Sequence, residues 1–374
     1  MDNGKILKNS ARKDFISSKK MKIVLISFST RGAIGDYLYL LAKELVKHEE
    51  IFLIVPDYFD RQIDVKGIVK FRTGENKFST FLSFINPLEN LRLIKEIKKI
   101  KPDLVHLFFG EGYPQMIFIS LWLKLAKIPL VVTIHDPEIH PGNLIERING
   151  ILRIFTLKLA TAIHIHSKVF EGKLGKLGVK KEKIFIIPHG SFVPLFSPYK
   201  KEEIKKENNI LFFGRIEKYK GLEYFVEAGL RIDGFKFVIA GPGKIPENLL
   251  KVIKENHQKF ELKNKFLSYK EIAELFQKSK VCVLPYIQAT QSSIPLISAY
   301  FNVPVVATKV GAFVEDVPLI NGVLVEPGKV DLLVKGIFEA LNKTPIYPSE
   351  REIKNLVFEF LKMYYKVSGK VRDN

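Results

Sequence analysis

Between Met21 and about Phe192, short runs rich in β-branched residues alternate with longer stretches in which apolar residues recur every three or four positions. The runs KIVLIS, IFLIV, LVHLFF, LVVTI, AIHIH and IFIIP predict strands, and segments 36–48, 88–101 and 143–158 have the helical period. Strands that are apolar on both sides need cover on both faces, and strands separated by helices do not pair as hairpins. The pattern therefore predicts an α/β protein with a parallel, doubly wound sheet.

The stretch Val193–Asn209 is polar and proline-bearing and reads as a linker. After it the alternation restarts with ILFFG, FKFVIA, VCVLP, PVVAT and GVLV. The reading is thus two Rossmann-like halves facing a cleft: a flexible extension over 1–20, an amino-terminal domain over 21–195 and a second domain over 208–345. A final helix over 349–366 spaces Ile353, Leu356, Val357, Phe360, Leu361 and Tyr364 along one face. That face must pack on a domain, and 346–374 is expected to return to the first. No short repeat interrupts the chain.

At 374 residues the chain exceeds the size at which one core stops growing, and 47% apolar residues with 29 Phe can fill two. The lone cysteine, Cys282, lies in VCVLP, where it fills core space and forms no internal disulfide; a reducing compartment fits. No apolar run reaches the roughly 18 residues of a membrane span, and the polar first twenty residues lack a signal-peptide core. Met21 is an alternative start.

Charge changes the picture further. Lys and Arg number 59 against 40 Asp and Glu, a formal +19 that draws the chain toward an anionic partner. The basic clusters at 92–101, 173–183 and 199–206 carry no interleaved aromatics to stack bases, which argues against nucleic acid. They read as solvated faces or as contacts to an acidic membrane, so the expected location is cytoplasmic, possible as a peripheral protein on the inner face of the cell membrane.

In open parallel sheets, ligands bind beyond the carboxyl ends of the strands. In the first half that rule selects Gly32, Gly35, Gly110, Glu111, His135 and Asp136. In the second it selects Arg215 to Lys220, Gly241, Gly243, Tyr286 to Ser293 and Gly311. The stretch LFFGRIEKYKGLEYF turns at Gly214 and places Arg215 and Lys220 between a strand end and a helix start, an arrangement suited to a diphosphate. Gly241 and Gly243 in AGPGK would let a backbone approach a ligand, and Ser292 and Ser293 could bind phosphate or ribose or simply cap a helix. His164 and His166 share a strand face without further convergent ligands and read as structural; His189 in IPHG is a candidate site residue.

The ordered set FFGRIEKYKGLE, IAGPG, LPYIQATQSSIPLISAYFNVPVVATKVGAF and NGVLVEPG resembles the donor-binding half of glycosyltransferase family 4, the retaining GT-B enzymes. PDLVHLFFG, VVTIHDP and IPHG resemble its amino-terminal half, so the likeness covers roughly residues 21 to 345. It implies a nucleoside-diphosphate sugar as co-substrate on the second domain and a glycan, lipid-linked or small-molecule acceptor on the first. It assigns catalytic roles to His135, Arg215, Lys220 and Gln288, and donor contacts to Gly214, Arg215, Lys220, Gly241, Gly243, Tyr286, Gln291, Ser292 and Ser293. Gly32, Gly35, Glu111, His135 and Asp136 fall on the acceptor side. No two aspartates are spaced D-x-D, so no metal or other cofactor is expected. The chain departs from the pattern at Gln288, where relatives carry Glu, and at Ser293, where a subset carries Gly; no acidic residue lies between Gln288 and Glu315. The alternatives are a nucleotide-sugar-binding subunit that has lost catalysis and a sugar-nucleotide epimerase on the same fold.

Overall fold

The computed structural model describes residues 19–73, 86–108, 114–135, 144–202 and 204–370. The chain divides into two compact units, one of residues 1–188 with 353–374 and one of residues 189–352.

The first unit is built on seven parallel strands: β1 (Lys22–Ile26), β2 (Glu50–Pro56), β3 (Gly67–Phe71), β4 (Leu104–Leu107), β5 (Leu130–Thr133), β6 (Ala162–Ile165) and β7 (Ile184–Ile186). Their order in the sheet is β3-β2-β1-β4-β5-β6-β7. Its helices are α1 (Ala33–Leu45), α2 (Pro87–Ile100), α3 (Pro114–Leu125), α4 (Leu144–Leu159) and α5 (Glu171–Lys176). Right-handed crossovers make the reversal between β3 and β4 switch faces, so α1 covers one side and α2, α3 and α4 the other. The helix α2 starts where Asn86 accepts a hydrogen bond from the Leu88 amide and Pro87 fixes the first turn; it stops at Lys101 in the left-handed conformation.

The second unit has six parallel strands in the order β10-β9-β8-β11-β12-β13. They are β8 (Asn209–Phe213), β9 (Lys236–Ala240), β10 (Phe260–Lys263), β11 (Ser279–Leu284), β12 (Val305–Thr308) and β13 (Val323–Val325). Its helices are α6 (Val193–Phe196), α7 (Leu222–Arg231), α8 (Glu247–Glu255), α9 (Tyr269–Lys278), α10 (Ile294–Tyr300), α11 (Phe313–Leu319) and α12 (Val330–Leu341). Aromatic rings tie helix to sheet: Phe225 of α7 packs 5.5 Å from Phe212 and 5.2 Å from Phe237, measured between centroids. The chain closes with α13 (Ile353–Ser368), whose buried face includes Leu356, Val357, Phe360, Leu361 and Tyr364 and which packs on α1 of the first unit.

Three features were not foreseen. β3 and β10 are edge strands covered on one side only, so they lack the continuous apolar run that marked the central strands. The segment expected to be a linker instead begins with α6, which buries Val193 and Phe196; Phe196 meets Tyr269 of α9 edge to face at 5.4 Å. Its prolines sit at the first helical positions, where a missing amide hydrogen costs nothing.

Candidate active site

In the second unit β9, β8, β11 and β12 are neighbours, so the loops that leave them share one rim. Glycines let these loops pack backbone against backbone. A Cβ on Gly241 would stand 2.1 Å from the Gly214 carbonyl, one on Gly243 2.3 Å from the Ile216 carbonyl, and one on Gly221 2.1 Å from the Pro285 carbonyl. Gly241 and Gly243 are thus required by the backbone packing of this rim. The Gly243 amide already donates to Asn264 Oδ1 (3.0 Å), and Asn264 Nδ2 donates back to the Gly243 carbonyl (3.0 Å). Nothing in the strand pattern singled out Asn264, which lies just past β10.

Gly214 is different: the atom that a Cβ would meet is the Lys220 ammonium, at 2.6 Å. The lysine folds back over the end of β8 from a single 3-10 turn, Lys218–Lys220, and only 9% of it is exposed. Its Nζ stands 4.8 Å from the centroid of Tyr286, itself buried. Among the described residues neither Lys220 nor the exposed Arg215 has an ion-pair or hydrogen-bond partner for its charged group. Burial first, and the Arg215 charge second, push the Lys220 pKa down to about 8, with Glu217 opposing. Two unpaired cations at one strand end, one of them desolvated, form a site that an anion would relieve.

The loop after β11 is pinned by the Ile287 amide, which donates to the Tyr219 carbonyl (2.7 Å), and by the Ala312 amide, which donates to the Thr290 carbonyl (3.1 Å). Gly311 is required there: its φ is 52°, and a Cβ would lie 2.0 Å from the Ala289 carbonyl. Within this loop both side-chain polar atoms of Gln291 are buried without a hydrogen bond, as is the Tyr286 hydroxyl. Ser292 Oγ accepts from the Ile294 amide (3.3 Å), while Ser293, at the start of α10, makes no capping bond. Gln288 is exposed.

In the first unit Gly32 caps α1 with φ 60° and open space where a Cβ would be, whereas Gly35 is packed against the Thr30 carbonyl. Gly110, Glu111 and Asp136 lie outside the described residues. His135 follows β5 and joins a buried chain. His135 Nδ1 is 3.2 Å from His166 Nε2, and His166 Nδ1 is 3.2 Å from the Ile187 carbonyl, which also takes His164 Nε2 at 2.9 Å. His164 Nδ1 meets Thr133 Oγ1 (2.8 Å), Thr133 meets His106 Nε2 (2.7 Å), and His106 Nδ1 meets the Tyr364 hydroxyl of α13 (2.6 Å).

A carbonyl only accepts, so Ile187 fixes the protons. His164 and His166 must donate to it; with neutral rings, their other nitrogens accept from Thr133 and from His135 Nδ1. Thr133 in turn accepts from His106 Nε2, so Tyr364 donates to His106 Nδ1. Neutrality follows from burial, which lowers His135 to about 4 and His164 to about 3 and holds His106 well below the ordinary histidine value. The carbonyls of Phe108 and Ile187 oppose the shift in His135 and His164 respectively. His164 and His166, read from sequence as structural, are the members that orient His135. His189 is buried and its Nδ1 donates to the Gly190 carbonyl (2.9 Å), a local bond within the second unit.

The model of Glycosyltransferase Family 4 matches residues 34–191, and that of Glycosyl transferases group 1 matches residues 207–343. The chain belongs to glycosyltransferase family 4. It is similar, at 26% identity over 333 residues, to an uncharacterized glycosyltransferase of Methanocaldococcus jannaschii, with 86% of this chain and 89% of that one covered. A 25% identity over 301 residues, covering 76% and 77%, relates it to the GalNAc-alpha-(1->4)-GalNAc-alpha-(1->3)-diNAcBac-PP-undecaprenol alpha-1,4-N-acetyl-D-galactosaminyltransferase of Campylobacter jejuni. Among solved structures, a glycosyltransferase of Rickettsia africae superposes with TM-score 0.71 at 18% identity over 94% of this chain and all 100% of that one. The Anabaena protein HepE, solved with UDP-glucose, gives 0.63 at 16% identity over 93% and 95%. The fold of this family 4 transferase is GT-B, and the strand-end cations stand on its group 1 half.

Proposed function

We propose that this family 4 enzyme is a retaining, metal-independent glycosyltransferase whose second unit holds a nucleoside-diphosphate sugar at Arg215 and Lys220. The observation that carries the reading is Lys220, a buried cation with no acceptor, beside a second unpaired cation. In the transfer, the bond from the sugar's anomeric carbon to the diphosphate breaks and one to an acceptor hydroxyl forms. The hydroxyl proton passes to the departing diphosphate, whose charge the two cations stabilise. Retention is the outcome expected of the family. The absence of D-x-D from the sequence supports a mechanism in which side-chain cations take the place of a metal. The buried Gln291 amide is suited to the nucleoside or its ribose.

The HepE complex supports a UDP-sugar as the first donor to try, and the Campylobacter relative supports a lipid-diphosphate-linked acceptor met at a membrane surface. The acceptor is assigned to the first unit, with His135 on the acceptor side. No helix among the described residues is long and apolar enough to cross a membrane, so contact with a bilayer would be peripheral. The test is to mix the protein with UDP-, GDP-, ADP- and TDP-sugars and a polyprenyl-diphosphate glycan, with and without EDTA, and to follow the anomeric configuration of the product. Transfer that persists in EDTA with the donor's configuration is expected; loss in EDTA restored by Mg²⁺ overturns the metal-free mechanism. Gln288, exposed and uncharged, favours a second reading as a binding subunit. That reading wins where a donor binds, no acceptor is glycosylated, and Gln288→Glu creates activity.

A further inference from the structure

The outer face of the α2–α3–α4 layer exposes large apolar side chains at helical spacing. On α3 they are Phe118, Leu121 and Leu125, exposed by 53%, 47% and 75%; on α4, Ile151 and Phe155; on α2, Leu88 and Leu91. Neighbouring helices of this layer pack on one another, so the stripes lie side by side. Folded proteins seldom leave such a surface open without a use. Helices in a parallel sheet start at the carboxyl rim of the strands, which places Leu88, Leu91 and Phe118 near that rim. The lysines follow toward the other end: Lys95, Lys98 and Lys99 on α2, Lys124 and Lys127 at the end of α3, and Lys158 at the end of α4.

We infer that this face docks on an anionic lipid bilayer, the apolar side chains entering the boundary between headgroups and acyl chains and the lysines meeting the headgroups. Charge decides between occupants. A second copy would bring the same formal +19 to the contact, whereas an anionic bilayer is complementary to that charge. The described carboxylates of α2, Glu89 and Glu96, are already held by Arg92 and Lys99. The inference deepens the membrane-surface reading above by naming the face.

The chain carries its own reporter, because its single tryptophan, Trp122, lies on α3 between Leu121 and Leu125 and is partly exposed. The full chain is mixed with vesicles of phosphatidylcholine alone or with an equal share of phosphatidylglycerol, some bearing a quencher on the acyl chain. Expected are sedimentation with the anionic vesicles, release at high salt, and quenching of Trp122 only when bound. Phe118→Ser with Phe155→Ser, both at exposed positions, should reduce bound protein at least tenfold. Thermal stabilisation by UDP, measured in parallel, should be unchanged in the double variant; its absence in the wild type would count against the donor site and not against the face. Three results overturn the inference: no binding to anionic vesicles, binding that leaves Trp122 unquenched and survives the double variant, or a dimer in sedimentation equilibrium that the double variant dissolves.

Discussion

Replacing Lys220 by Met keeps the volume of the side chain and removes its charge, and the two states of the protein should respond in opposite directions. Free protein bears the cost of a desolvated ammonium. The pKa falls from 10.5 to about 8, mainly through burial and secondarily through Arg215; at ~1.36 kcal/mol per unit this is about 3 kcal/mol. The sign is that of a base whose folded pKa is depressed: stability is lost as pH falls from 10.5 through 8, so the whole penalty is present at pH 7. Lys220→Met should therefore raise the melting temperature of the ligand-free second unit, at about 2–4 °C per kcal/mol gained. It should also weaken UDP binding by about 1.5–3 kcal/mol, the range for a hydrogen bond to a charged group. Wild-type affinity should fall as pH rises above 8, and near pH 8 binding should take up about half a proton, because the diphosphate restores the ammonium. Calorimetric titration in buffers of different ionisation enthalpy reads the proton, and scanning calorimetry reads the stability. A variant that melts lower than wild type and binds UDP equally well would make Lys220 a structural cation and refute the reasoning.

Two further outcomes follow from the geometry. Gly221→Ala places a Cβ 2.1 Å from a backbone carbonyl at φ 63°; backbone cannot yield as a side-chain tip can, so a loss of at least ~2 kcal/mol is expected in urea unfolding, and a loss below ~0.5 kcal/mol would contradict it. The first unit should be acid-labile: His106, His135 and His164 are neutral when folded and ordinary when unfolded, so stability falls as pH drops below 6.5. From pH 7 to 5.5 His135 and His164 together should lose about 2.5 kcal/mol, with His106 acting in the same direction; an unfolding free energy constant over that interval would show that they protonate in place.

The central strands and their parallel pairing were legible because a central strand, covered on both faces, leaves an uninterrupted apolar run such as LVVT or VCVL, and no tertiary context can make that run solvent-exposed cheaply. The position of Arg215 and Lys220 at a strand end was legible because a glycine after a strand fixes where the following side chains emerge. The edge strands β3 and β10 were not, since one-sided cover permits polar residues at alternate positions, as in GIVKF. Which glycines pack backbone on backbone was decided only by the fold: Gly241 and Gly214 are 27 positions apart in sequence and in van der Waals conflict for any larger residue. The histidine chain is likewise tertiary. His106, Thr133, His164 and Tyr364 come from three strands and the last helix, and their proton positions depend on one carbonyl, Ile187, that no local pattern marks. Sequence periodicity reports which face of an element is covered; what covers it, and which polar atoms then have to share a proton, is set by elements that meet only after folding.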